Sequence, residues 1–188
     1  LCLPILTGTK EESDLIGILY LENNRASGTF TQERFDTLEI ICLSAAGRLE
    51  LSRKAVIDGL TGLFNHEYFQ NLLGQEFASA RRHGRDLALV LIDIDHFKRF
   101  NDTYGHAMGD KVLQRLGNLI KKHIRNGIDL PCRYGGEEFT VILPETSTCS
   151  AITIANRILK GFGNIEFHIS SGGEAVQRTI SVGIAELG

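Results

Sequence analysis

Two pairs of carboxylates stand where strands would end in this sequence: Asp93 with Asp95, and Glu137 with Glu138. Residues 87–92 are consecutively apolar, the pattern of a strand buried on both faces, and they run straight into Asp93-Ile94-Asp95. Side chains alternate along a strand, so the two aspartates share one side and Ile94 takes the other. Acids at the end of a buried strand are costly unless something pairs them. A metal ion would do so; alternatively, Asp95 caps a helix starting at His96 and Asp93 is hydrogen-bonded nearby. The second pair belongs to Arg133-Tyr-Gly-Gly-Glu-Glu-Phe139. Gly-Gly between β-prone runs reads as a hairpin turn, because glycine accepts positive φ and lets a ligand approach the backbone. Alone, that stretch is a turn with solvated acids. Beside Asp93 it means more: magnesium takes hard oxygens, one or two of them carboxylates, with substrate phosphates completing the shell. Two metals so held would polarise both the attacking and the leaving oxygen of a displacement.

The stretch between the two acidic pairs is His96-Phe-Lys-Arg-Phe-Asn101-Asp-Thr-Tyr-Gly105-His-Ala-Met-Gly109-Asp110. Lys98 and Arg99 are cations just past the acidic strand end, placed to meet phosphate oxygens. Asn101 and Asp110 are short polar groups able to read a base. Guanine offers adjacent N1–H and N2–H donors that one carboxylate accepts together, a pattern adenine lacks. Equally, Asp110 serves as a first-turn acid favoured by the helix dipole, and Asn101 as a local turn bond.

These residues need a frame to position them. Residues 1–6 and 15–21 read as a hairpin and residues 22–30 as a loop, with Thr31 capping a helix that runs to about residue 56. That helix carries Phe35, Leu38, Cys42, Ala45, Leu49, Ser52 and Val56 at alternating spacings of three and four. The stripe suits either a helix packed on its own hairpin or a two-helix dimer seam. Asp58-Gly-Leu-Thr-Gly then marks a domain boundary. Beyond it the expected elements are a helix over 66–83, a strand over 87–94, a helical stretch over 96–126 broken near Gly105, and a hairpin over 130–143. A helix over 148–162 and strands over 165–170 and 177–186 follow. Alternating helices and strands with one tight hairpin predict an α+β fold on a mixed sheet.

Composition bounds the function. The 188 residues are 43% hydrophobic and 23% charged, ordinary for a globular core, and the net charge of −3 leaves no basic footprint for nucleic acid. Cys2, Cys42, Cys132 and Cys149 form no C-x-x-C pair, which suits reduced thiols in a cytosolic protein. No apolar run is long enough to span a membrane. The chain opens inside a strand without a signal peptide, so a cytoplasmic fragment is expected, its parent free to attach to a membrane through other segments.

Five stretches together resemble the GGDEF family of diguanylate cyclases. They are Asp58-Gly-Leu-Thr-Gly-Leu-Phe-Asn65, Ile92-Asp-Ile-Asp-His-Phe-Lys98, Asn101-Asp-Thr-Tyr-Gly-His106 with Gly109-Asp110, Asp129-Leu-Pro-Cys-Arg-Tyr-Gly-Gly-Glu-Glu-Phe139 and Thr179-Ile-Ser-Val-Gly-Ile184. The resemblance implies a nucleotidyl-cyclase-like fold over residues 57–188, a ferredoxin-like core whose central mixed sheet is wrapped by helices. It implies two magnesium ions per site, with manganese able to substitute, held by Asp93, Glu137 and the Ile94 carbonyl. Glu137 would also accept the 3′-hydroxyl proton of GTP and Glu138 would support the metal site. Lys98 and Phe97 would face the phosphates, and Asn101, His106 and Asp110 the guanosine. Each domain holds one GTP, so a homodimer is expected, and the product is cyclic di-GMP. A catalytically inactive module that binds nucleotide or a partner protein is the alternative; such members lose the signature acids, which this chain keeps.

Residues 1–50 resemble the C-terminal part of a GAF sensor domain, through Leu1-Cys-Leu-Pro-Ile5, Ile16-Gly-Ile-Leu-Tyr-Leu-Glu-Asn23 and Gly28-Thr-Phe-Thr-Gln-Glu-Arg34. That implies a small regulatory ligand bound mostly upstream. The sequence departs from the GGDEF pattern in three places. His66 stands where arginine is common. The family's last helix, with its phosphate-binding cations, lies past Gly188, so weak GTP binding is expected of this fragment. The product-inhibition pair, normally R-x-x-D, is Arg125-x-x-x-Asp129, with Arg157 as a second guanine-stacking arginine, so weakened inhibition is expected.

Overall fold

The structure, a computed structural model, describes residues 2–8, 13–22, 31–169 and 175–187. It divides into two units, Leu1–Ala55 and Val56–Gly188.

In the first unit, β1 (Cys2–Gly8) pairs antiparallel with β2 (Ser13–Tyr20), from Cys2 opposite Tyr20 to Gly8 opposite Ser13, with a shift of register between Ile5 and Leu6. The expected loop over 22–30 lies almost wholly outside the described residues. Helix α1 (Gln32–Val56) starts directly after Thr31, whose carbonyl accepts the first intrahelical bond from Phe35 N at 2.9 Å. Of the stripe positions, Cys42 is buried while Phe35, Leu38, Ala45 and Val56 are half-buried. The side chains of Leu49 and Ser52 lie outside the described residues. The helix also exposes Ile40, Ile41 and Leu43.

The second unit is built on β3 (Leu87–Ile94). On one side β3 pairs antiparallel with β5 (Glu138–Pro144), and on the other with β8 (Ile180–Leu187). Strand β4 (Leu130–Gly135) lies outside β5, giving the order β4-β5-β3-β8. The four strands therefore all pair antiparallel, and the mixed character expected of the sheet reduces to one parallel bridge, Phe64 to Cys132. The crossover from β3 to β4 skips one position, and the hairpin folds β5 back into that gap, so the two strands that run the same way are never neighbours.

Helices α4 (His106–His123) and α5 (Thr148–Gly163) cover one face. Their Val112, Leu116, Ile120, Ala151, Ile158 and Phe162 bury against Ala88, Val90, Ile92 and Ile94 of β3 and against Phe139, Val141 and Leu143 of β5. A fully buried Phe or Leu side chain contributes about 1.5–3 kcal/mol, so this interface dominates the stability of the unit. Helix α2 (His66–His83) lies on the opposite face, packing Phe69, Leu72 and Ala80 on Leu87, Cys132 and Ile142. It leaves the end of β3 open: Leu91 is 49% exposed, so the strand is not buried on both faces as its apolar run suggested. Helix α3 (Phe97–Tyr104) is separated from α4 at Gly105, where the break was expected. The strands expected over 165–170 and 177–186 are observed as β6 (Phe167–His168) and β8, and a further short strand, β7 (Ala175–Val176), pairs antiparallel with β6. All four cysteines are free, and burial pushes the Cys132 thiol up to about 12. No helix among the described residues is long and apolar enough to cross a membrane.

Candidate active site

Asp93 is the last polar position of β3, and its neighbours follow from register: Glu138 stands opposite on β5 and Ser181 opposite on β8. Because α2 leaves this corner open, Asp93 is exposed, unlike Ile92 and Ile94 beside it. Its carboxyl is nevertheless raised above the usual aspartate value, first by burial and then by the negative charges of Glu137, Glu138 and Asp95. Like charges crowded at one sheet edge disfavour ionisation unless a cation joins them. The donor set is all hard oxygen, which fits magnesium. Among the described residues no three acid, histidine or cysteine side chains converge into a ready-made metal cage. Phosphate oxygens would have to supply the rest of the shell.

Glu137 owes its place to a two-residue turn. Gly135 pairs with Glu138, so Gly136 and Glu137 form the loop, and Gly136 sits at φ +46°, which a side chain would strain. Arg133 braces that loop: its Nε and Nη2 donate to the Gly136 carbonyl at 3.1 and 2.8 Å, while Nη1 donates to Asp58 Oδ2 at 3.2 Å. Asp58 in turn accepts from Thr61 N at 2.9 Å and Thr61 Oγ1 at 2.6 Å. Burial raises the Asp58 carboxyl, but the Thr61 bonds and the Arg133 charge outweigh it, leaving it below the ordinary value. On the other flank His66 Nδ1 bonds the Tyr134 carbonyl at 2.8 Å, which requires the proton on Nδ1, and the two rings lie 4.3 Å apart. The departure at His66 thus has a structural use. Neither brace was evident in the sequence, although Asp58, Arg133 and Tyr134 lie within the stretches that carried the resemblance and His66 follows one of them directly.

Asp95 neither caps a helix nor stands free for a metal. Its carboxylate accepts from Thr179 Oγ1 at 2.5 Å and Ser181 Oγ at 2.7 Å, tying the end of β3 to β8, and these bonds lower its pKa. The residue before α3 is His96, left-handed at φ 56° and without a side-chain cap.

The proposed base-reading residues lie on adjacent helices. Asn101 on α3 packs against Gly109 on α4 so closely that a Cβ at 109 would fall 1.9 Å from Asn101 Oδ1. That oxygen is buried and accepts no hydrogen bond, so the side chain is not spent on a local turn. Asp110 is exposed and lies past the first turn of α4, which contains no acid, so the dipole does not explain it. Phe97 is buried, whereas Lys98 and His106 are exposed.

Arg125 and Asp129 meet, but they consume each other. Arg125 donates to Asp129 from N at 2.7 Å, Nε at 3.0 Å and Nη2 at 2.5 Å, and Nη2 also reaches Pro144 O and Thr146 Oγ1, each at 2.8 Å. The Asp129 side chain has no exposure. Arg157 is exposed on α5 and joins none of these bonds. Arg125→Ala is therefore expected to lower stability by about 1–3 kcal/mol, because a buried carboxylate loses most of its donors. Thermal unfolding checks this: a pair serving only a surface ligand would leave the midpoint where it is.

The chain is similar to known proteins over most of its length. The family model described as "Diguanylate cyclase, GGDEF domain" matches residues 55–188. The response regulator PleD of Caulobacter vibrioides is 44% identical over 131 residues, covering 70% of this chain and 29% of that protein. Diguanylate cyclase A of Treponema denticola is 37% identical over 183 residues, covering 94% of this chain and 48% of that protein. The chain thus spans less than half the length of either relative. The crystal structure of the coiled coil and GGDEF domain of DgcB from Caulobacter crescentus, in complex with c-di-GMP, superposes with a TM-score of 0.75 at 31% identity. That match covers 84% of this chain and 82% of the other.

Proposed function

Since the chain belongs to the GGDEF family of diguanylate cyclase domains, we propose that it condenses two GTP molecules into cyclic di-GMP and two pyrophosphates. The observation that carries this reading is that Asp93 stands opposite Glu138 across β3 and β5, next to Glu137 in the turn, at one open sheet edge. Asp93, Glu137 and the Ile94 carbonyl would hold magnesium, two ions per site, with manganese able to substitute. Bound there, the metal would supply charge neutralisation at the transferring phosphoryl group and polarisation of the attacking and leaving oxygens.

The chain's own residues do the rest. Asn101, His106 and Asp110 fix the guanosine, while Lys98 and the backbone around Phe97 orient the phosphates. Glu137 takes the proton from the ribose 3′-hydroxyl as its oxygen attacks the α-phosphorus of the other GTP. The new O–P bond forms as the bond to pyrophosphate breaks, and the same exchange repeats in the opposite sense. Glu138 supports the metal-binding acids. One GTP per domain means that two copies face each other, so the working unit is a homodimer. The first unit is the end of a GAF-like sensor domain whose small ligand regulates the cyclase, and α1 carries the signal. Inhibition by cyclic di-GMP through Arg125, Asp129 and Arg157 is weak, because Asp129 has no free oxygen to offer a guanine.

Incubating the protein with GTP and magnesium and identifying the product by mass spectrometry tests this. Cyclic di-GMP with two equivalents of pyrophosphate is the expected result, and unchanged GTP overturns it. Base choice gives a sharper check. Asp110→Ala is expected to weaken GTP by about 1–3 kcal/mol while leaving ATP nearly unchanged, since only guanine presents the paired donors. Competition binding measures both, and equal losses would remove Asp110 from base recognition.

A further inference from the structure

His96, Arg99, Phe100, Thr103 and Tyr104 lie along one flank of α3 and, with Arg178 just ahead of β8, enclose a cavity of about 350 Å³. None of Asp93, Glu137, Asn101 or Asp110 lines it. Among the described residues, three of the six that line it can carry positive charge and none is acidic, in a chain whose net charge is −3. Among the described residues no salt bridge engages Arg99 or Arg178. The acid nearest His96 is Asp95, already bonded to Thr179 and Ser181.

Arg178 is the informative member. Its guanidinium carbon sits 4.7 Å from the centroid of the Phe100 ring, itself fully buried, so the group is held in place by cation–π stacking. Yet its Nε is buried and donates to nothing. A buried guanidinium donor without an acceptor is destabilising, and an oxyanion is the partner that its planar fork matches best.

We propose that this cavity is a second anion site, apart from the acidic end of β3, that takes a phosphate-bearing ion of the pyrophosphate class through Arg178, Arg99 and His96. Its volume is more than ten times the ~30 Å³ share of one water, enough for two linked phosphoryl groups with part of their hydration. Binding stands on the cavity alone. Its use, in receiving pyrophosphate as it leaves the reaction, rests on the cyclase reading.

The test is calorimetric titration of pyrophosphate, in EDTA so that no metal-bound site forms, into wild type, Arg99→Gln, Arg178→Gln and Asp93→Asn. Wild type and Asp93→Asn are expected to bind alike, more weakly as salt rises, while each arginine variant loses at least tenfold. Arg99 is exposed, so Arg99→Gln decides the matter if Arg178→Gln fails to fold. Metal-free GTP added as a competitor separates the two sources: displacement assigns the site to a nucleotide's terminal phosphates, no displacement to the free ion, and both support it. Absence of binding, binding that survives Arg99→Gln, or binding lost in Asp93→Asn overturns it. Since no turnover is measured, an inactive protein would sink the cyclase reading and leave this result standing.

Discussion

Glu137→Gln is expected to lower cyclic di-GMP formation by at least about a hundredfold, with the melting temperature unchanged. The substitution keeps the shape of the side chain and removes only its charge and its capacity to accept a proton. Glu137 occupies a two-residue turn, and the residue that braces that turn, Arg133, bonds the Gly136 carbonyl and Asp58, not the Glu137 side chain. The fold therefore has no stake in the carboxylate. Removing one preorganised group from a transition-state environment commonly costs about 10²–10³ in rate. The change also takes away one of the charges that hold the Asp93 carboxyl high, so any residual structural effect should be favourable. Product release is followed by chromatography and stability by thermal melting. Turnover within tenfold of wild type would remove Glu137 from the chemistry, and a large fall in melting temperature would make the loss of activity a matter of folding.

Gly109→Ala is expected to weaken GTP binding about tenfold to a hundredfold. On helix propensity alone alanine would stabilise α4 by roughly 1 kcal/mol. Sterics outweigh that gain here, because the new methyl would lie 1.9 Å from Asn101 Oδ1 and 3.2 Å from Phe97 Cζ. Asn101 must swing away, and it is the side chain whose buried oxygen is still without a donor. Losing one such acceptor costs about 1–3 kcal/mol of ligand affinity. Titration of GTP measures the loss. The companion variant Asn101→Ala with Gly109→Ala discriminates the cause: relief of the clash should recover melting temperature but not affinity. If Gly109→Ala binds GTP like wild type, the contact between α3 and α4 has no bearing on nucleotide recognition.

Much of the framework was legible in the residues. The helix over 66–83, the strand over 87–94 and the break at Gly105 stand where periodicity and glycine placed them, and the hairpin expected to turn at Gly135-Gly136 turns one residue later, at Gly136-Glu137. Each of these is set by interactions within a few residues, a turn conformation or the spacing of apolar side chains, so the local sequence contains the information. That Asp93 and the Glu137-Glu138 pair fall at strand ends was also readable, and the sheet sets Asp93 opposite Glu138.

What the residues could not disclose is which partner each polar group finds. Asp95 looked equivalent to Asp93, yet its carboxylate is taken up by hydrogen bonds from Thr179 and from Ser181, 86 residues away. Arg125 and Asp129 looked like a ligand clasp and instead satisfy each other, with Pro144 and Thr146 completing the set. Arg133 reaches Asp58 across 75 residues to brace the Gly136-Glu137 turn. The exposure of Leu91, the antiparallel order of the sheet and the contact of Asn101 with Gly109 belong to the same class. A hydrogen bond or a contact is worth about the same whichever suitable partner supplies it, so residue type alone leaves the choice degenerate. The order of strands and the placement of helices over them lift that degeneracy, and only the folded chain contains both.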